Sequence, residues 1–207
     1  MKMRNVAIIG CGGINSWVVK HLWEVLGIFE KNNLVFVQLF DKDEVEEKNL
    51  LRGNQNFEVE DLMKEKAQVL AKRYGFEFEN ALITEDNVSK LDMFDDIIMG
   101  VDNHKTRRLI YDYCLKKSKY LLDLRAQGTQ LAFYILDKTK DINYYDLKFF
   151  NNEKVMNRKG SCQLAKDVEN DHIENANKVI AFMGVYAIYL KRLRGEDPTT
   201  KEWKFAY

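Results

Sequence analysis

The stretch Val6 to Trp17, VAIIGCGGINSW, constrains this chain more than any other. An apolar run leads into glycines at 10, 12 and 13, and Ile14, Val18, Leu22 and Leu26 then recur at helical spacing. A second apolar, β-branched run, Leu34 to Phe40, follows that helix. The order is strand, helix, strand: a βαβ unit of a parallel sheet, with a right-handed crossover. Gly10, Gly12 and Gly13 let the backbone turn sharply and present N–H groups to an anion at the helix N-terminus. A dinucleotide fingerprint reads GxGxxG, whereas Asn15 replaces the third glycine here. A tight turn that holds no ligand is the alternative reading.

The rest of the chain continues the alternation. The spacing predicts a helix over Asp61 to Tyr74 with Met63, Ala67, Leu70, Ala71 and Tyr74 inward. It predicts strands at Phe76 to Thr84 and at Asp96 to Asp102, then a helix from Asn103 with Leu109, Ile110, Tyr113 and Cys114 inward. KYLLDL and QLAFYIL, joined by RAQGT, read as a hairpin. The fold class is therefore α/β: a Rossmann-like, three-layer arrangement with a mostly parallel sheet and antiparallel strands on its C-terminal side. Residues 141–175, rich in charge and asparagine, read as a mobile loop or crossover over a site. Residues 175–194 read as a packing helix, apolar on more than one face.

With 207 residues the chain suits one domain, 1–207. Lysine plus arginine and aspartate plus glutamate both number 32, so nothing global favours nucleic acid or an anionic membrane, and any phosphate site is local. Cys11, Cys114 and Cys162 form no CxxC pair, which argues against a disulfide framework and a cysteine zinc site and favours a reducing, cytoplasmic setting. The N-terminus makes a poor signal peptide, and the longest apolar run, Val179 to Leu190, is shorter than the roughly 18 residues of a membrane span.

DKDEVEEKNLLRGNQNF, Asp41 to Phe57, changes the odds for the glycine loop. An acidic residue closing the second strand accepts hydrogen bonds from ribose hydroxyls, which accounts for Asp41. Asn49, Arg52 and Lys66 then add a phosphate-handling set that a simple dehydrogenase does not need. The bland alternative is a solvated charged loop.

GCGGINS, DKDEVEEKNLLR, a helix with KA, and VDNHKTRR follow in the order and spacing of the adenylating superfamily of ThiF, MoeB and the ubiquitin-activating enzymes, which this sequence resembles over about Val6 to Arg108 and more loosely beyond. The resemblance implies an ATP-binding domain that activates the C-terminal carboxylate of a small ubiquitin-like or sulfur-carrier protein ending in Gly-Gly, as an acyl adenylate. Carried over, Gly10, Gly12 and Gly13 form the phosphate-side loop and Asp41 takes the ribose hydroxyls. Arg52, with Asn49 nearby, stabilises the transferring phosphates, and Lys66 contacts them, with Lys64 a competing assignment. Asp102 holds Mg²⁺ or, alternatively, caps the next helix; Asn103 orients the nucleotide, and Arg107 pairs with acidic groups to shape the loop. The family also implies a homodimer.

Three departures stand out. The paired CxxC motifs of zinc-bearing relatives are missing, so no zinc is expected. RG replaces the family's RQ. An upstream helix that in relatives lends an arginine to the neighbouring site has no room here, so Arg4, Arg125 or another group substitutes, or adenylation is weak. Cys162, near Arg158 and Lys159, is a candidate acyl acceptor, its alternative being an incidental thiol. Two further readings compete with adenylation: a nicotinamide-dependent oxidoreductase, and a non-catalytic binding module or inactive half of a heterodimer.

Overall fold

The computed structural model describes residues 4–29, 35–50, 54–127, 130–137 and 172–195. Six strands form one sheet: β1 (Arg4–Ile9), β2 (Val35–Phe40), β3 (Glu77–Glu79), β4 (Asp96–Met99), β5 (Tyr120–Gln127) and β6 (Gln130–Leu136), in the order β3-β2-β1-β4-β5-β6. All neighbours are parallel except β5 and β6, which pair antiparallel as the hairpin reading predicts.

Burial on both faces explains why Val6–Ile9 of β1 are all apolar. Val6 and Ile8 face α1 (Asn15–Phe29), while Ala7 and Ile9 face the opposite layer, and none is more than 2% exposed. On the first face lie Val18, Val19 and Leu22 of α1, Ala67, Leu70 and Ala71 of α3 (Lys66–Tyr74), and Ala176, Ile180 and Ala181 of α5 (His172–Phe182). On the second lie Ile110, Tyr111 and Cys114 of α4 (His104–Lys116), with Leu91 and Phe94. The result is an α/β three-layer fold, as expected. Among the described residues no helix is long and apolar enough to cross a membrane.

The structure corrects four details. The helix expected from Asp61 starts only at Lys66. Glu58 and Asp61 close a tight 3₁₀ turn, and Met63 sits at φ +62°. The N–H groups of Met63 and Lys66 are taken by the carbonyls of Val45 and Asp43, so the segment runs as a ladder beside residues 43–45 and leaves Met63 82% exposed. The expected third strand shrinks to an edge strand of three residues. The inward face of α4 keeps the expected Ile110 and Cys114 and adds Arg107 and Tyr111, whereas Leu109 and Tyr113 are only partly buried against it and the Tyr113 hydroxyl donates to Asp92. The last helix begins at His172 and passes through a π-helical segment, Met183–Tyr189, into a short α6, Leu190–Leu193. α2, one turn over Glu47–Leu50, completes the set. Of the loop expected at 141–175, residues up to 171 lie outside the described set.

A polar knot ties the sheet together at the N-terminal ends of β1 and β4. Asp96, fully buried, accepts hydrogen bonds from Arg4, from the Tyr189 hydroxyl at 2.9 Å, and from Nε and Nη2 of Arg192 at 2.9 and 2.8 Å. Arg192 also lies 3.8 Å from the Tyr120 ring centroid.

Candidate functional site

β1 ends in a loop whose glycines do different work. Gly10 adopts φ +82°, and a Cβ there would lie 2.9 Å from Val101 Cγ1. The Cys11 N–H donates to Asp41 Oδ2 at 2.6 Å, and the Asp43 N–H to Asp41 Oδ1 at 2.8 Å, so the residue closing β2 anchors the loop that closes β1. Burial raises the Asp41 carboxyl above the usual carboxylate value, while these N–H groups and the Lys66 ammonium pull it back. A Cβ on Gly12 would meet nothing within 4 Å, whereas one on Gly13 would lie 2.5 Å from Asn177 Nδ2. Helical bonding resumes with Ser16 N–H to Gly12 O. The N–H groups of Gly12, Gly13 and Ile14 therefore have no hydrogen-bond partner among the described residues, beside the one open face of the loop. Unpaired donors at the start of a helix form an anion cradle.

Gly12→Ala is expected to leave the thermal midpoint within about 1 °C, because the new methyl points into open space. Gly13→Ala is expected to lower it by several degrees, reflecting about 1–3 kcal/mol of overpacking against Asn177. Calorimetric scans of the two variants check the contrast.

Strand order reverses between β1 and β4, and the crevice above their C-terminal ends is where α/β sheets place ligands. Asn15 fills its floor. Its Nδ2 donates to Ile9 O at 3.0 Å, the carbonyl that also receives the Gly100 N–H at 3.0 Å, and a Cβ on Gly100 would lie 2.6 Å from Asn15 Cγ. The missing third glycine of the fingerprint is thus compensated across the crevice: Asn15 takes the room and Gly100 yields it. Buried Asn15 Oδ1 has no partner among the described residues.

Beyond β4, Asp102 is exposed. The helix-cap alternative for it fails, because Asn103 caps α4, its Oδ1 accepting from Lys105 N at 2.8 Å and Thr106 N at 3.3 Å. The same bonds occupy the side-chain oxygen that Asn103 would offer a nucleotide. Buried Arg107 donates to Asp123 and to Val101 O, which braces the loop leading to Asp102. Asp123 also receives Nε and Nη2 of Arg125, at 2.8 and 2.6 Å.

On the β2 side, Lys66 opens α3, is 6% exposed and acts electrostatically on Asp41, whereas Lys64 points to solvent. Asn49 is buried and accepts the Glu46 N–H at 2.8 Å, closing the turn of α2. Arg4 lies at the opposite end of the sheet on Asp96, so it is not a substitute cation for this site; Arg125 is at the correct end. Cys11 and Cys114 are fully buried, and burial raises both thiols, that of Cys114 to about 12. Arg52 and Cys162 lie outside the described residues.

Sequence reasoning missed an asparagine network behind the loop. Asn54 and Asn56 bond to Asn177, Trp17 and Ser16, and between them Gln55 is buried with Oε1 unpartnered among the described residues. The repeated asparagines of RGNQNF were its one visible signal.

Unpaired N–H donors, an open glycine face and a buried ammonium suit a polyphosphate. No group of three His, Cys, Asp or Glu side chains comes together among the described residues.

Solved structures share this fold. Escherichia coli MccB in complex with ATP superposes with TM-score 0.67 at 20% identity, covering 94% of this chain and 58% of that one. PaaA gives 0.63 at 18%, covering 94% and 65%. E. coli tRNA N6-threonylcarbamoyladenosine dehydratase, TcdA, in complex with AMP gives 0.54 at 23%, covering 61% and 53%. The chain thus spans about half to two thirds of the length of these relatives in fold. Comparison with curated proteins gives no match. The sequence matches the ThiF family over residues 1–205, and the chain belongs to that family.

Proposed function

We propose that residues 1–207 form one adenylation domain that uses ATP and Mg²⁺ to activate the C-terminal carboxylate of a small ubiquitin-like or sulfur-carrier protein ending in Gly-Gly, with release of pyrophosphate. The observation that carries this reading is the cradle of unpaired N–H groups at Gly12, Gly13 and Ile14, flanked by Asp41 and Lys66 on one side and Asp102 on the other. Solved neighbours in complex with ATP and with AMP support an adenine nucleotide there.

The chemistry asks an anion to approach an anion. A carboxylate oxygen forms a bond to the α-phosphorus while the bond from that phosphorus to the bridging oxygen of pyrophosphate breaks. The chain's task is positioning and charge neutralisation. The glycine-loop N–H groups orient the phosphates with Gly10, Gly12 and Gly13 shaping the turn. Asp41 faces the ribose, Asn49 closes the turn before Arg52, and Arg52 and Lys66 offset negative charge. Asn103 shapes the loop from α4, and Asp102 would hold Mg²⁺, which supplies further neutralisation of the phosphates. Where the acyl group moves on, the Cys162 thiolate attacks the acyl carbon and AMP leaves. A cytoplasmic setting without nucleic-acid or membrane partners fits the balanced charge and the lack of a CxxC pair, and a homodimer fits the family and the apolar C-terminal helix.

An ATP–pyrophosphate exchange assay with Mg²⁺ and a panel of Gly-Gly-ended carrier proteins tests the reading. Exchange that depends on a carrier, and falls by about 10²-fold or more in Asp102→Ala, is expected. ATP turnover that no carrier stimulates, or that survives Asp102→Ala, overturns it.

A further inference from the structure

We infer that Asn177, on the C-terminal helix α5, is a positioning residue for the nucleotide's phosphates, resting on the adenylation reading above. Asn177 is 5% exposed, and its carboxamide lies against the backbone of Gly13: a Cβ there would be 2.5 Å from Nδ2, 3.1 Å from Cγ and 3.3 Å from Oδ1. The same Nδ2 donates to Asn54 Oδ1 at 2.8 Å and reaches Asn54 O at 3.5 Å. One side chain therefore touches both the phosphate loop and the segment that begins two residues after Arg52.

That segment is fixed from every side. Trp17 Nε1 donates to Asn54 O at 3.3 Å, and the Asn56 N–H donates to Ser16 Oγ at 3.1 Å. Asn56 Nδ2 donates to Ser16 O at 3.2 Å and to the Tyr74 hydroxyl at 2.7 Å, while Arg73 Nη1 donates to Asn56 O at 2.8 Å. The bonds from α1 and α3 hold residues 54 and 56 to the base of the site. Among the described residues, Asn177 is the side chain of a third helix that bonds to this segment and also packs on the glycine loop. Buried Asn49 closes the turn on the other side of Arg52.

A phosphate loop holds its ligand well only when its N–H groups are fixed in place to a fraction of an ångström, and a carboxamide wedged between Gly13 and Asn54 does this without touching the ligand. It also explains why Gly13, unlike Gly12, has no room for a side chain. The sequence conceals the arrangement, since Asn54 and Asn177 are 123 residues apart.

Equilibrium titration of the full chain with ATP and with adenosine, well below the thermal midpoint, tests the assignment in Asn177→Ala and Asn54→Ala. The second variant breaks the bond from the other side, so a folding defect in the first does not decide the outcome. Each variant is expected to bind ATP about tenfold more weakly while adenosine affinity changes less than about twofold. Combining either with Arg52→Ala is expected to add little further loss, because both act through one segment. Unchanged ATP affinity in both variants, equal losses for ATP and adenosine, or full additivity with Arg52→Ala overturns the role and leaves Asn177 a structural brace. Wild-type chain that does not bind ATP overturns the adenylation reading itself, and the positioning role with it.

Discussion

Asp96→Ala is expected to destabilise the fold by about 3–5 kcal/mol, the usual cost of removing one partner from a buried charge network. Asp96 is fully buried, and it is the shared acceptor for Arg4 on β1, Arg192 on α6 and Tyr189 in the π-helical segment. Burial, with the negative charge of Asp96, already raises the Tyr189 phenol well above its ordinary value. Without the carboxylate, Arg192 would keep, among the described residues, its longer contact to Asp137 at 3.6 Å and its stacking on Tyr120. The C-terminal helices would lose their anchor to the sheet. For a chain of this size the thermal midpoint should fall by roughly 10 °C or more. Asp112→Ala, which breaks the exposed i,i+4 pair with Arg108, is the control and should cost no more than about 0.5 kcal/mol. Denaturant melts of both variants measure the difference.

Lys66→Ala is expected to separate function from stability in the opposite sense. The ammonium is buried, forms no ion pair among the described residues and sits in the field of Asp41. A buried charge without a partner is costly, so its removal should leave the melting temperature unchanged or raised. On the proposed function the same removal takes away a cation aimed at the phosphates, and carrier-dependent exchange should fall by about 10²- to 10³-fold. Lys64→Ala, two residues away on an exposed position, should stay within about twofold of wild type. Reversal of the two results would transfer the role to Lys64.

Local signals made β1, α1 and β2 readable. Val6 to Ile9 bury both faces, and Val18 and Leu22 sit on one helical stripe, so periodicity and packing agree. The hairpin was readable because two apolar runs, KYLLDL and QLAFYIL, stand only a few residues apart, although β5 extends through Gln127 into the expected connection. What escaped depended on tertiary partners. The start of α3 moved to Lys66 because carbonyls of Asp43 and Val45 compete for N–H groups that a helix would use. The buried face of α4 is wider than expected because Arg107 turns inward to meet Asp123, a partner no local pattern announces. Asn15 reads as a defect in a fingerprint until Gly100, just beyond the end of β4, is seen to accommodate it. Arg4 looked available to the site because sequence position does not reveal which end of a strand faces the ligand.

On the proposed function, the crevice between β1 and β4 holds ATP. The measurement that tests it most directly is an equilibrium titration of the chain with ATP and with NAD in the presence of Mg²⁺. Saturable binding of ATP, with NAD bound far more weakly, is the predicted result. Absence of ATP binding, or tighter binding of NAD, would contradict the account and favour the oxidoreductase reading of the same βαβ unit.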